Sequence, residues 1–103
     1  MTNLPEIKKF ASKIGADFHP KKIILFGSYA EGKATKDSDV DLLVVMPFKG
    51  RPVQQAVKIR QAMDSPFPLD LLVRSPKQVK TRLKGGDSFL QGILDRGQVV
   101  YEA

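Results

Sequence analysis

The stretch "IILFGSYAEGKATKDSDVDLLVV", Ile23 to Val45, runs from one apolar segment through a glycine loop into another, and two readings compete for the loop. Gly27 to Lys33 spells G-x-x-x-x-G-K, which is a phosphate-binding P-loop short of its last residue. A P-loop needs a Ser or Thr after the lysine for magnesium, and its glycines must open a long helix whose N-terminus faces the phosphates. Ala34 stands where the hydroxyl belongs, and only a few residues separate Lys33 from "SDVDLLVV". The P-loop reading fails on both counts.

The second reading takes the same letters as Gly27-Ser28, ten residues, then Asp39-Val40-Asp41. Gly27 permits a tight turn straight out of a strand, Ser28 offers a hydroxyl and an N-terminal cap, and the short turn can aim backbone N–H groups at phosphate oxygens. Asp39 and Asp41 lie two apart on a strand, so their carboxylates leave from one face. Paired carboxylates beside a phosphate cradle suit hard divalent cations such as magnesium. The bland alternative is a polar strand entrance with a capping aspartate. Asp70, second in "LDLLVR", stands among aliphatic residues that belong in a core, where an unpaired carboxylate is costly. Either it pairs with Arg74 on the same strand face, or it joins Asp39 and Asp41 as a third metal ligand. Its place near the start of its strand, like theirs, favours the second option.

The rest of the chain frames this loop with alternating helices and strands. Leu4, Ile7, Phe10, Ala11 and Ile14 recur at helical spacing, with Gly15 where the helix would stop. Lys22 to Phe26, Val40 to Met46 and Leu69 to Arg74 read as buried strands. Pro52 opens a helix with Val53, Ala56, Val57 and Met63 on its inner side, closed by "DSPFP" at Asp64 to Pro68. Ser75-Pro76 with Gln78 is a helix-start signature, and Gly85-Gly86 ends that helix. Phe89, Leu90, Ile93 and Leu94 make a last short helix before Gly97, and "QVVY" adds a terminal strand. The pattern predicts one α+β domain over residues 1–103, with a small mixed sheet of three to five strands packed against helices.

Composition excludes several classes of function. The chain has 103 residues, 42% hydrophobic and 27% charged, which is ordinary for a folded soluble domain. It carries no cysteine, so disulfides, thiolate metal sites and cysteine nucleophiles are out. No signal-peptide pattern and no membrane-length apolar run is present, so the expected location is the cytoplasm without membrane association. The net charge of +6 is concentrated centrally: residues 49–84 hold nine Lys/Arg against two Asp/Glu. Such a segment can meet an acidic protein, the phosphates of a nucleotide or a nucleic acid. Without tryptophan or interleaved aromatic residues it lacks a base-stacking platform, which argues against nucleic acid. His19 has no second ligand spaced for a transition metal, and Tyr29 and Tyr101 are read as packing or surface groups.

Taken together, Gly27-Ser28, Asp39-Val40-Asp41 and Asp70 resemble the nucleotidyltransferase superfamily that includes DNA polymerase beta. The small size resembles its minimal nucleotidyltransferases, the proteins paired with HEPN toxins in prokaryotes. The resemblance implies a nucleotidyltransferase fold. It implies that Asp39 and Asp41 hold the metal ions that bridge the triphosphate, two magnesium ions with manganese as a substitute. Asp70 would hold one of them and help deprotonate the attacking hydroxyl. Gly27 and Ser28 would anchor the β and γ phosphates. Lys33 is a candidate to assist the leaving group, against its alternative as a solvated loop lysine. The implied reaction transfers AMP from ATP to a hydroxyl, a tyrosine of a partner HEPN toxin, within a hetero-oligomer in which this chain is the antitoxin. The competing reading is a non-catalytic module that covers its partner, docking through the basic segment Lys49 to Lys84. One residue departs from the pattern: many relatives carry arginine where this sequence has Glu31. An acid near a triphosphate repels it unless the side chain points outward or meets a lysine such as Lys33 or Lys36.

Overall fold

The computed structural model describes residues 1–103. In chain order the elements are α1 (Leu4–Phe18), β1 (Lys22–Phe26), a 3₁₀ turn (Gly27–Tyr29), β2 (Val40–Val45), α2 (Pro52–Ala62), β3 (Leu69–Arg74), α3 (Pro76–Lys84), α4 (Ser88–Arg96) and β4 (Gln98–Glu102). The four strands form one mixed sheet in the order β3-β2-β1-β4. β1 runs antiparallel to both β2 and β4, while β2 and β3 are parallel. A parallel pair needs a crossover, and α2 supplies it.

The two central strands, β1 and β2, are short aliphatic runs buried on both sides, as a sheet covered on both faces requires, while the edge strands β3 and β4 are only partly buried. On one face Ile23, Leu25, Leu42, Val44, Leu71 and Val73 pack against Ile7, Phe10, Ala11 and Ile14 of α1 and Ile59 of α2. On the other, Ile24, Phe26, Leu43 and Val45 pack against Leu90 and Ile93 of α4, with Val79 and Leu83 of α3 partly buried beside them. Each fully buried aliphatic side chain contributes about 1.5–3 kcal/mol, so the larger face carries most of the burial energy.

Local signals explain where helices begin better than where they end. Asn3 caps α1, its Oδ1 accepting the Glu6 N–H at 3.0 Å. The expected stop at Gly15 is not used: α1 continues to Phe18 and ends at His19, whose φ of 51° puts it in the left-handed region and whose N–H donates to the Gly15 carbonyl at 3.1 Å. Pro20 follows and cannot continue the helix. Gly15 is instead a notch, because a Cβ there would run into the ring of Tyr101. α3 has the predicted reciprocal cap, with Ser75 Oγ accepting the Gln78 N–H at 3.1 Å and Gln78 Oε1 accepting the Ser75 N–H at 2.9 Å.

Helix α2 corrects the sequence reading. Val53 and Val57, expected inside, are 73% and 45% exposed, and the buried residues are Gln55 and Ile59. Ala56 and Met63 do touch the core, so the true inner face is rotated from the one the valines mark. Gln55 tolerates burial because its side-chain amide donates to Met46 Sδ at 3.6 Å. In α4 only part of the apolar set is inside: Leu90 and Ile93 are buried, whereas Phe89 and Leu94 remain exposed.

Candidate active site

Strand register brings the predicted carboxylates together. Asp41 is the second residue of β2 and lies beside Asp70, the second residue of β3, in the parallel ladder. Across the other edge of β2, Asp41 is paired with Phe26, the last residue of β1, so the glycine turn begins next to it. Side chains alternate along a strand, so Asp41 and Asp70 share the face of Leu43 and Leu72, the face that α3 and α4 cover further along. Asp39 immediately precedes β2.

Burial differs among the three. Asp41 is half-buried, while Asp39 and Asp70 are exposed. The core position expected for Asp70 is therefore not observed, because β3 is an edge strand and Asp70 stands on the face opposite the one where Leu69 meets the core and Arg60 of α2. The alternative partner is not used either: the Arg74 guanidinium donates to the Val73 carbonyl at 2.7 Å and makes no ion pair with Asp70. Arg74 is half-buried, and burial first, then the nearby Arg82, pull its pKa below the usual guanidinium value.

Asp41 has the most perturbed carboxyl group of the molecule. Its pKa is raised from 3.8 to about 6, first by burial, then by the charge of Asp70 and a hydrogen bond with it, then by Asp39. At neutral pH the site thus packs like charges against a half-buried carboxylate. A hard divalent cation would relieve that repulsion, and the all-oxygen donor set suits magnesium. The three do not converge as one ready-made set, since no three Asp, Glu or His side chains enclose a single ion position. The structure gives a close Asp41–Asp70 pair with Asp39 as its neighbour.

The turn after β1 is built on Gly27. Its φ of 72° favours glycine, and a Cβ at this position would fall on the Asp41 carboxylate. The Gly27 carbonyl accepts the N–H groups of Ala30 and Glu31, both at 3.1 Å, and the Ser28 carbonyl accepts that of Lys33 at 2.9 Å. Ser28 lies inside the 3₁₀ turn rather than capping it: the N-cap is Phe26, without a side-chain bond. Its hydroxyl makes no hydrogen bond to the protein beside Gly27. Lys33 is exposed and its side chain forms no ion pair. No long helix follows the loop, in keeping with rejection of the P-loop.

Glu31 meets neither Lys33 nor Lys36. Its carboxylate faces Arg96 at the end of α4, with Nε to Oε1 at 3.7 Å. The two line a cavity of about 100 Å³ together with Phe26, Gly27 and Phe89. Sequence reasoning missed Arg96, although a signal existed. Once "QVVY" is read as a strand paired with β1, the residues just before it must return to the foot of the glycine turn, and Arg96 is the one cation there.

The profile of the nucleotidyltransferase domain matches residues 4–100. The chain belongs to that family. A Methanocaldococcus jannaschii protein provisionally named a protein adenylyltransferase is 35% identical to this nucleotidyltransferase over 93% of the chain and 67% of the relative. A second relative from that organism, with the same provisional name, is 49% identical over 38% of the chain, a stretch that amounts to only 41% of the relative's length. Among solved structures, a Sulfolobus solfataricus protein described as a nucleotidyltransferase superposes with a TM-score of 0.65 at 20% identity, covering 96% of this chain and 79% of its own. A toxin–antitoxin structure with AMP-PNP gives a TM-score of 0.58 at 26% identity, covering 99% of this chain and 75% of that one. The α+β sheet with helices on both faces is the fold of these neighbours. No helix is long and apolar enough to cross a membrane.

Proposed function

We propose that this nucleotidyltransferase transfers AMP from ATP to a hydroxyl of a partner protein, a HEPN-type toxin that it thereby silences. The observation that carries this reading is the Asp41–Asp70 pair, locked side by side by the β2–β3 register and set against the Gly27 turn. The two provisionally named protein adenylyltransferases and the toxin–antitoxin neighbour with AMP-PNP support the choice of nucleotide and partner.

Asp39, Asp41 and Asp70 would hold magnesium, two ions by the family expectation, and when bound the metal neutralises triphosphate charge and stabilises the attacking and departing oxygens. The chain's own residues supply the rest. Gly27 brings backbone to the terminal phosphates without a side chain in the way, and Ser28 offers its uncommitted hydroxyl. Asp70, exposed at the sheet edge, takes the proton of the acceptor hydroxyl, whose oxygen bonds to the α-phosphorus as the bond to the bridging oxygen breaks and pyrophosphate leaves. Lys33, free in solvent, can follow the departing charge.

A second reading rests on α2, whose outer face presents Val53 and Val57 beside Arg51 and Lys58. Such a basic and apolar surface would neutralise a partner by contact alone. Intact-mass measurement of the partner after incubation with the chain, ATP and magnesium decides between them. Gain of one AMP, absent with Asp41→Asn, is the expected result. An unmodified partner that is nonetheless inhibited would overturn the transferase reading and leave docking.

A further inference from the structure

The Glu31–Arg96 pair poses a problem in charge. Glu31 follows the 3₁₀ turn by two residues, its own N–H bonded to the Gly27 carbonyl, so an acid is fixed within the loop that the proposed function assigns to the phosphates. Left alone it would oppose binding of any polyanion. Arg96 answers it from the far end of the chain, and three features set this arginine apart. First, Arg60, Arg74 and Arg82 each donate to a protein oxygen, whereas Arg96, the one arginine beside the glycine turn, makes only the long contact with Glu31 and shares its freedom with the distant Arg51 alone. Its terminal N–H groups are uncommitted, and its side chain is 65% exposed. Second, it lines the cavity that Gly27 also lines. Third, its guanidinium lies folded back over Gly92, one helical turn earlier, where a Cβ would collide with it. A glycine inside a helix costs stability relative to alanine, about 0.5–1 kcal/mol, and here it provides the space in which the guanidinium rests.

We propose that Arg96, held at the cavity mouth by Glu31 and accommodated by Gly92, binds the terminal phosphates of the nucleoside triphosphate, with Glu31 as its positioning residue. The inference rests on the proposed transferase reading and adds to it a binding residue from α4. A guanidinium presents a planar fork of donors that matches phosphate oxygens, and an incoming polyanion competes with a single carboxylate held at 3.7 Å. Binding thus exchanges one weak contact for stronger ones, and the loop acid is screened by the same cation.

The test compares affinities for ATP and AMP, because only ATP carries the terminal phosphates. Calorimetry with magnesium gives the ATP value, and displacement of bound ATP gives that of AMP. R96Q should weaken ATP about tenfold with AMP unchanged, and R96K should fall between, since an ammonium lacks the fork. Adding E31Q to R96Q should recover part of the loss by removing the acid left bare. G92A moves the guanidinium without touching its charge. It should lower ATP affinity in the same sense while the melting temperature stays level or rises, which separates displacement from unfolding. An ATP-to-AMP ratio in R96Q and G92A equal to that of the wild type overturns the assignment. If wild-type binding is present and is lost in Asp39→Asn/Asp41→Asn, that failure belongs to Arg96 alone. If the wild type binds no ATP, both readings fall together.

Discussion

Beneath α1 and α2 the sheet buries a connected cluster of fifteen side chains, while beneath α3 and α4 the opposite face buries six. The first face is the more extensively buried. The second is covered where α3 and α4 pack on it, and where cover ends its strands present Asp41 and Asp70 instead of aliphatics. The contrast teaches that this small domain separates its two tasks by sheet face. One side supplies the larger share of the burial, and the other, with its smaller core, carries the repelling carboxylates and the exposed arginine at its open end.

Asp41→Asn probes that separation most strongly. Transfer of AMP to the partner should drop by about three orders of magnitude or more, measured as initial rate, with no loss of folding stability. A variant that instead unfolds would show that the two faces are coupled. Next in size comes Leu42→Ala, one residue along but in the larger core cluster and fully buried. It should cost about 3 kcal/mol in urea denaturation and leave the ATP affinity of the folded fraction unchanged. A large change in affinity would break the comparison from the other direction.

The pH dependence of the metal-free protein sharpens it. The folded-state pKa of Asp41, about 6, lies above the 3.8 of an unperturbed carboxyl, so folding favours the protonated form. Its contribution to stability is therefore complete below about pH 4 and is lost as pH rises through about 6. After discounting for solvent screening, the decline should be on the order of 1–2 kcal/mol. Urea midpoints across that range should show the fall in the wild type and its absence in Asp41→Asn; a parallel fall in the variant would move the effect to another group. The smallest effect is expected for Val53→Ser, at under about 0.5 kcal/mol, because this side chain is 73% exposed. A cost of several times that would mean that α2 presents its valines to the core after all.

The strands, the helix starts and the rejection of a P-loop were legible because each depends on a few adjacent residues. Ser75 and Gln78 cap α3 as neighbours, and Asp39 and Asp41 share a strand entrance as neighbours. What was not legible depends on partners far along the chain. Gly15 looks like a helix stop until Tyr101 is seen packed against it. Val53 and Val57 look like a core stripe until the sheet chooses Ile59 and a sulfur-bonded Gln55. Asp70 looks buried until β3 is known to be an edge. Glu31 looked for a nearby lysine, and the topology gave it Arg96. Periodicity proposes faces, and only the sheet order decides between them.

The antiparallel pairing of β1 with both β2 and β4 has a consequence for how the chain is made. β1 acquires its first neighbour early in synthesis, once Val45 has emerged, but its other edge waits for Gln98 to Glu102. Until then a central, aliphatic strand offers a row of unpaired peptide groups to any other nascent chain. Closing that edge is a long-range, late event, so pairing with β4 moves the open edge from the aliphatic β1 to a strand of mostly exposed residues.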